Sequence, residues 1–219
     1  MPGRATAPFA ASLACAAAFL VLAIAVHRVD DVQHLDAALL LRFLEPGARG
    51  GSVAAVVVLL GDLAVLLPLL AVACGIALLR GLPRQALAAF AVVAGANLST
   101  QLFKVALAHP RVQSMLGMEQ IAANSFPSGH TTAIASAAVA FLFVVPREWR
   151  GTVAFCGALA VAAVGCSVMA LSWHFPSDVL GGLLVVAAWG FGVLAALRTA
   201  EALPGRGAQA SRRPAISVK

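Results

Sequence analysis

Charge is scarce in this chain. Only 11% of its 219 residues are Asp, Glu, Lys or Arg, where an ordinary soluble domain carries roughly a quarter. Length alone would allow one or two soluble domains, but that shortage, together with 61% hydrophobic residues, argues against them. Aromatic residues are also few, at 6%. They form no recognition segment among the basic residues, so the net charge of +6 does not point to nucleic acid. The cysteines are Cys15, Cys74, Cys156 and Cys166. None has the CxxC or Cys/His spacing of a zinc site, and all fall in apolar stretches, so they read as small buried hydrophobes. There is no internal repeat.

What the chain has instead is long apolar runs. A membrane span needs about 20 mostly apolar residues. Six segments qualify: Pro8 to Val26, Ser52 to Leu79, Gln85 to Ala108, Pro127 to Val145, Thr152 to Ser172 and Ser177 to Leu197. The expected fold is all-α, a polytopic membrane protein built as a bundle of six transmembrane helices. The first run reads as an anchor, because no clear small-residue cleavage site follows it. The second is long enough to tilt or break near Pro68. Between them, "VQHLDAALLLRFLEPG" reads as a short interfacial helix, or equally as an amphipathic cap on the bundle, with Leu35, Leu39 and Phe43 on one face and Asp36 and Arg42 toward water. Residues 1–203 then form one membrane domain. Residues 204–219, "PGRGAQASRRPAISVK", form a basic tail expected to be disordered.

Lysine and arginine set the orientation. One set of loops and ends holds Arg4, Arg80, Arg84, Arg147, Arg150, Arg198, Arg206, Arg212, Arg213 and Lys219; the other holds Arg28, Arg42, Arg49, Lys104 and Arg111. The richer set is expected to be cytoplasmic. Both termini and the tail are then inside, in the cell's inner (plasma) membrane.

This topology gathers three polar clusters on the non-cytoplasmic side. In "NLSTQLFKVALAHPR", Asn97, Gln101 and Lys104 share a helix face. A lysine at that depth should face the bundle or a polar cavity, and with Arg111 it suits an anion with several oxygens; the alternative is that both snorkel at the interface. In "FPSGHT", Pro127 suits a first helical turn. The N–H groups of Ser128, Gly129 and His130 would form an anion cradle at the positive end of the helix dipole, and His130 can give or take a proton near neutral pH. In "SWHFPSDVLGG", Asp178 lies one helical turn after His174. Its carboxylate can fix the tautomer of that ring and free the other nitrogen. It can also simply cap the helix.

Together these clusters describe a phosphate site with acid–base capacity. The chain resembles the type 2 phosphatidic acid phosphatase superfamily, the membrane lipid phosphatases. That family's pattern joins a Lys and an Arg-Pro pair, a Pro-Ser-Gly-His block, and a Ser-Arg pair ahead of His-x-x-x-Asp. Lys104 and Arg111, Pro127-Ser128-Gly129-His130, and His174 with Asp178 match it at the right spacings. The resemblance implies His174 as nucleophile on phosphorus, a phosphohistidine intermediate, Asp178 orienting His174, and His130 protonating the leaving oxygen. Lys104, Arg111, Ser128 and Gly129 would hold the phosphate oxygens. It implies no metal and no cofactor; a zinc site from His109, His130, His174 and Asp178 lacks metal spacing.

Two departures stand out. Arg111 is followed by Val112 rather than proline, and the Ser-Arg pair reads Ser167-Val168. A cation is therefore missing at position 168, where a side chain is expected to approach the site. His109 is a possible auxiliary, as are Arg28, Arg42 and Arg49. The expected function is hydrolysis of a lipid phosphate or diphosphate, of polyprenyl or phosphatidic type, in the outer leaflet. The partners are the bilayer and the lipid. A lipid phosphotransferase using the same histidine, or a catalytically silent lipid-binding or transport protein, are the alternatives. Asp62 would interest a transport reading, but pairing with a neighbouring helix explains it as well.

Overall fold

The computed structural model describes residues 3–44, 51–111 and 121–202. The basic tail, Arg49 and the segment after Arg111 lie outside the described residues.

Among the described residues the chain is helical, without strands. The helices are α1 (Gly3–Arg28), α2 (Asp30–Leu44), α3 (Ser52–Val57), α4 (Leu63–Leu79), α5 (Pro83–Ala106), α6 (Gly129–Val144), α7 (Arg150–Ala170) and α8 (Pro176–Ala202). Four of them, α1, α5, α7 and α8, carry segments long and apolar enough to cross a membrane, and the bent pair α3–α4 makes up to five. At 16 residues, α6 rises only about 24 Å, short of a hydrocarbon core of about 30 Å.

Helix α6 is short because it is wrapped by the others. It packs against α4, α5, α7 and α8, while α1 lies along α8. Its residues Thr131 to Ala137 are all buried. Lipid offers no hydrophobic drive for helix association, so close approach by small residues must supply it. The core between α4, α5 and α6 is accordingly mostly alanine, with Ala73, Ala77, Ala86, Ala89, Ala133, Ala137 and Ala140 beside Leu66, Val93 and Val144. Interhelical hydrogen bonds add to this, with Asn97 Nδ2 donating to Ser136 Oγ at 3.0 Å and Thr100 and Thr132 hydroxyls 3.1 Å apart. The outward faces carry Val21, Ile24, Leu79, Leu98, Leu102, Val105 and Phe155, all largely exposed. An apolar belt of that kind suits lipid rather than water. Cys156 and Cys166 lie on this exposed surface too, so these two are not buried hydrophobes.

The second apolar segment breaks at Asp62, not at Pro68. A 3-10 turn over Val58–Gly61 ends in the extended backbone of Asp62 (ψ 152°), and the two halves meet at 45°. Pro68 sits inside α4, where it removes the donor for a single carbonyl early in the restarted helix. Similarly, Pro127 precedes α6 rather than opening it: Ser128 is the N-cap.

Candidate active site

The start of α8 shows how the site is built. Asp178 stands three residues after Phe175, and its Oδ2 accepts the Phe175 backbone N–H at 3.0 Å. That is the carboxylate half of a capping box. The same oxygen pairs with His174 Nδ1 at 3.1 Å. The Asp178 carboxylate therefore makes the cap bond and the contact with the ring at once. With Nδ1 donating to the carboxylate, Nε2 of His174 is left as a base or nucleophile. The approach to this ring is a Schellman closure of α7. The N–H of Ser172 bonds the Met169 carbonyl, and that of Trp173 bonds the Val168 carbonyl. Ser172 adopts φ 55°, the left-handed region where glycine is usual.

Arg111 reaches the other side of Asp178. Its Nη2 donates to Asp178 Oδ1 at 2.6 Å and to Ser125 Oγ at 2.9 Å; its Nη1 donates to Asp36 Oδ2 at 3.1 Å and Ser177 Oγ at 3.0 Å. Its guanidinium carbon lies 4.2 Å over the Phe175 ring. The four hydrogens of its terminal nitrogens are thus taken by protein. Asp36, expected to face water, is buried instead, because the stripe Gln33, Asp36, Ala37, Leu40 and Leu44 turns inward. The Leu35–Leu39 side is exposed. Asp36 also accepts from the Ser177 N–H at 3.0 Å and from the Ser177 hydroxyl. Burial pushes its carboxyl up from the ordinary range, against the pull of the Ser177 bonds and the Arg111 guanidinium.

The start of α6 supplies the third part. Ser128 is fully buried. Its N–H donates to the Asp178 carbonyl at 2.9 Å, so it is not free for an anion. Its hydroxyl oxygen accepts from the Thr131 N–H and hydroxyl at 3.4 and 3.1 Å. Gly182 makes this close docking of α6 on α8 possible. A Cβ there would stand 2.9 Å from the Ser128 carbonyl oxygen. Lys104 donates to the Asn124 and Ser125 carbonyls at 3.1 and 3.4 Å, and its Cε lies 3.6 Å from where a Cβ on Gly129 would be. His130 turns its Nε2 to Asp62 Oδ1 at 3.1 Å, and Trp173 lies beside the ring, 5.7 Å between centroids.

One end of the bundle therefore holds Lys104, Arg111, Ser128, Gly129, His130, His174 and Asp178. His130 lies within electrostatic reach of both His174 and Lys104, and Lys104 within that of Asp178. His109 is exposed, as are Arg28 and Arg42. Among the described residues, no three His, Cys, Asp or Glu side chains stand close enough to share a metal ion, so the zinc set is not assembled. Asp36, Ser125 and Ser177 are partners of Arg111 to which no sequence spacing points. Only Asp36 left a trace, an acidic residue on the second, narrower apolar stripe of an amphipathic helix.

A family model described as the PAP2 superfamily matches residues 85–201. The chain belongs to the PAP2 superfamily. The matched range contains Lys104, Arg111, Ser125, Ser128, Gly129, His130, His174, Ser177 and Asp178, while Asp36 and Asp62 lie outside it. The fold is also that of a solved structure, a transmembrane PAP2-type phosphatidylglycerolphosphate phosphatase from Bacillus subtilis. That protein is 23% identical, the alignment covers 90% of this chain and 99% of that one, and the TM-score is 0.68. No curated protein sequence matches the chain.

Against the PAP2 pattern, Val168 does not line a polar cavity. It is fully buried in an apolar cluster with Val58, Ile134 and Val164. A larger, charged side chain there must open that cluster, at a cost of about 3–5 kcal/mol for an uncompensated buried charge. Val168→Arg is therefore expected to lower the melting temperature in detergent and to lower any phosphatase rate. A gain in rate with unchanged melting would show that position 168 reaches the site after all.

Proposed function

We propose that this PAP2 protein is an integral membrane phosphatase that hydrolyses a lipid phosphate or diphosphate through a phosphohistidine on His174. The observation that carries this reading is the pairing of His174 Nδ1 with the buried Asp178 carboxylate, at the same end of the bundle as Lys104 and His130. In the proposed reaction Nε2 of His174 attacks phosphorus and the bond to the leaving oxygen breaks. His130 protonates that oxygen, then takes a proton from the water that cleaves the P–N bond. Lys104, the Gly129 N–H and the Ser128 hydroxyl hold the phosphate oxygens. The inward engagement of Arg111 supports a different role for it than in the sequence reading: it fixes Asp178 rather than the phosphate. With Val168 in place of an arginine as well, Lys104 is the main fixed cation. A missing donor of that kind costs about 2–4 kcal/mol of transition-state stabilisation, so turnover is expected to be modest.

In this reading the chain crosses the membrane six times, counting α6 and the bent α3–α4 segment, and α2 lies in the interface. The lysine and arginine distribution puts the site at the non-cytoplasmic face. The exposed Leu35 and Leu39 of α2 suit lipid headgroup depth beside it. The lipid is of polyprenyl or phosphatidic type, and the substrate of the solved Bacillus protein makes a phosphatidic-type monophosphate the first to test.

The test is phosphate release by purified protein from phosphatidic acid, phosphatidylglycerolphosphate and polyprenyl phosphate and diphosphate, with and without EDTA. Release from at least one lipid, unchanged by EDTA, is expected. Transfer of phosphate to an added alcohol in place of release would favour the phosphotransferase. Lipid binding without either reaction would favour the silent protein, and loss of activity to EDTA restored by one metal would contradict the mechanism.

A further inference from the structure

Asp62 occupies the N-cap of α4, where aspartate ordinarily accepts a bond from the first turn of the helix. Its backbone carbonyl does accept from Val65 and Leu66, but its carboxylate makes no cap bond. It reaches across to His130 Nε2 on α6 instead, at 3.1 Å. Stability does not explain the exchange. The two side chains are 41% and 27% exposed, and an ion pair open to water adds little. The backbone is nevertheless built around it. Gly61 lies so close to α6 that a Cβ there would stand 2.7 Å from His130 Cβ and 2.8 Å from its Cα. The break in the helix at Asp62 is what turns the carboxylate toward the ring.

We propose that Asp62 is a positioning residue for His130, holding its Nε2–H and so presenting Nδ1 to the leaving oxygen. This deepens the phosphatase reading and rests on it. The two histidines are then wired in opposite senses. His174 is held at Nδ1 and offers Nε2; His130 is held at Nε2 and offers Nδ1. As the P–O bond breaks, the proton on Nδ1 of the His130 imidazolium goes to the leaving oxygen, while Nε2–H stays on Asp62. As water attacks, Nδ1 takes one of its protons, the P–N bond breaks, and its electron pair returns to Nε2 of His174. Asp62 remains a carboxylate throughout. The other titratable groups near His130 are His174 and Lys104, with the Trp173 ring beside it.

The experiment pairs a spectrum with kinetics. In histidine-15N-labelled protein in detergent, with His130 assigned through His130→Gln, the neutral ring is expected to be a single Nε2–H tautomer. It should become a mixture in Asp62→Ala. Asp62→Asn, which is nearly isosteric and guards against misfolding, is expected to lower kcat about tenfold to a hundredfold, the worth of one hydrogen bond to a charged group. KM should stay within about twofold and the melting temperature should hold, as for an interaction that acts in the transition state. In a His130→Gln background Asp62→Asn should add nothing. An unchanged tautomer, or an Asp62→Asn effect that adds in full to that of His130→Gln, overturns the proposal. Phosphate release that is unchanged in Asp62→Asn overturns this role alone. A wild type that releases no phosphate from any lipid overturns the phosphatase reading and this role with it.

Discussion

His174→Ala is expected to reduce phosphate release from the best lipid substrate by about ten-thousandfold or more, because it removes the atom that bonds to phosphorus. The protein should still fold, since among the described residues the ring makes one side-chain bond, to Asp178. That carboxylate keeps its bonds to Arg111 and the Phe175 N–H. His130→Ala should cost about a hundredfold to ten-thousandfold, the range for a proton donor. The loss should shrink for the first chemical step with an aryl phosphate, whose leaving group needs no proton. Steady-state release under substrate excess measures the first two effects. A burst of aryl alcohol measures the third.

Arg111→Ala is expected to damage stability and activity together. The guanidinium lies between two buried carboxylates, Asp36 and Asp178. Deleting one partner of a buried pair costs about 3–5 kcal/mol, which lowers a melting temperature by on the order of 10 °C for a chain of this size. Turnover should fall as well, because Asp178 loses the bond that holds its second oxygen. Arg111→Lys should not rescue, since one ammonium cannot reproduce the fork that reaches Asp36, Asp178, Ser125 and Ser177. Asp36→Asn should cost less than Arg111→Ala, because Arg111 keeps Asp178 and Ser125. Thermal melting without substrate separates this role from direct phosphate binding. A phosphate contact alone would raise KM and leave melting unchanged.

The parts of the site that could be read from the sequence were those encoded by short spacings. His174 and Asp178 are one helical turn apart, Lys104 and Arg111 flank one helix end, and Ser128 to His130 are contiguous, so each cluster announced its chemistry locally. The partners that hold them were not legible, because they are distant in the chain. Asp36 meets Ser177 across 141 residues, and Asp62 meets His130 across 68. Helix α2 has apolar residues on two faces, and only its packing against α1, α7 and α8 and the Arg111 contact turn the Asp36 stripe inward. Proline is the stronger local breaker, so the sequence points to a tilt or break near Pro68. In the fold, Pro68 is accommodated inside α4, and the chain breaks where Gly61 must let His130 approach. Helix α6 is shorter than the apolar run from Pro127 to Val145 that contains it, and a helix enclosed by its neighbours need not match the bilayer.

The central claim is a covalent phosphohistidine on His174, and trapping that intermediate tests it most directly. The protein is mixed with a radiolabelled lipid phosphate, quenched rapidly in alkali, and digested. The label should be acid-labile and alkali-stable, and should sit on the peptide that contains His174. With an aryl phosphate it should accumulate in His130→Ala, where water attack is slowed more than phosphorylation, and be absent in His174→Ala. Phosphate release with no label on the protein, or with the label on another residue, would contradict the account.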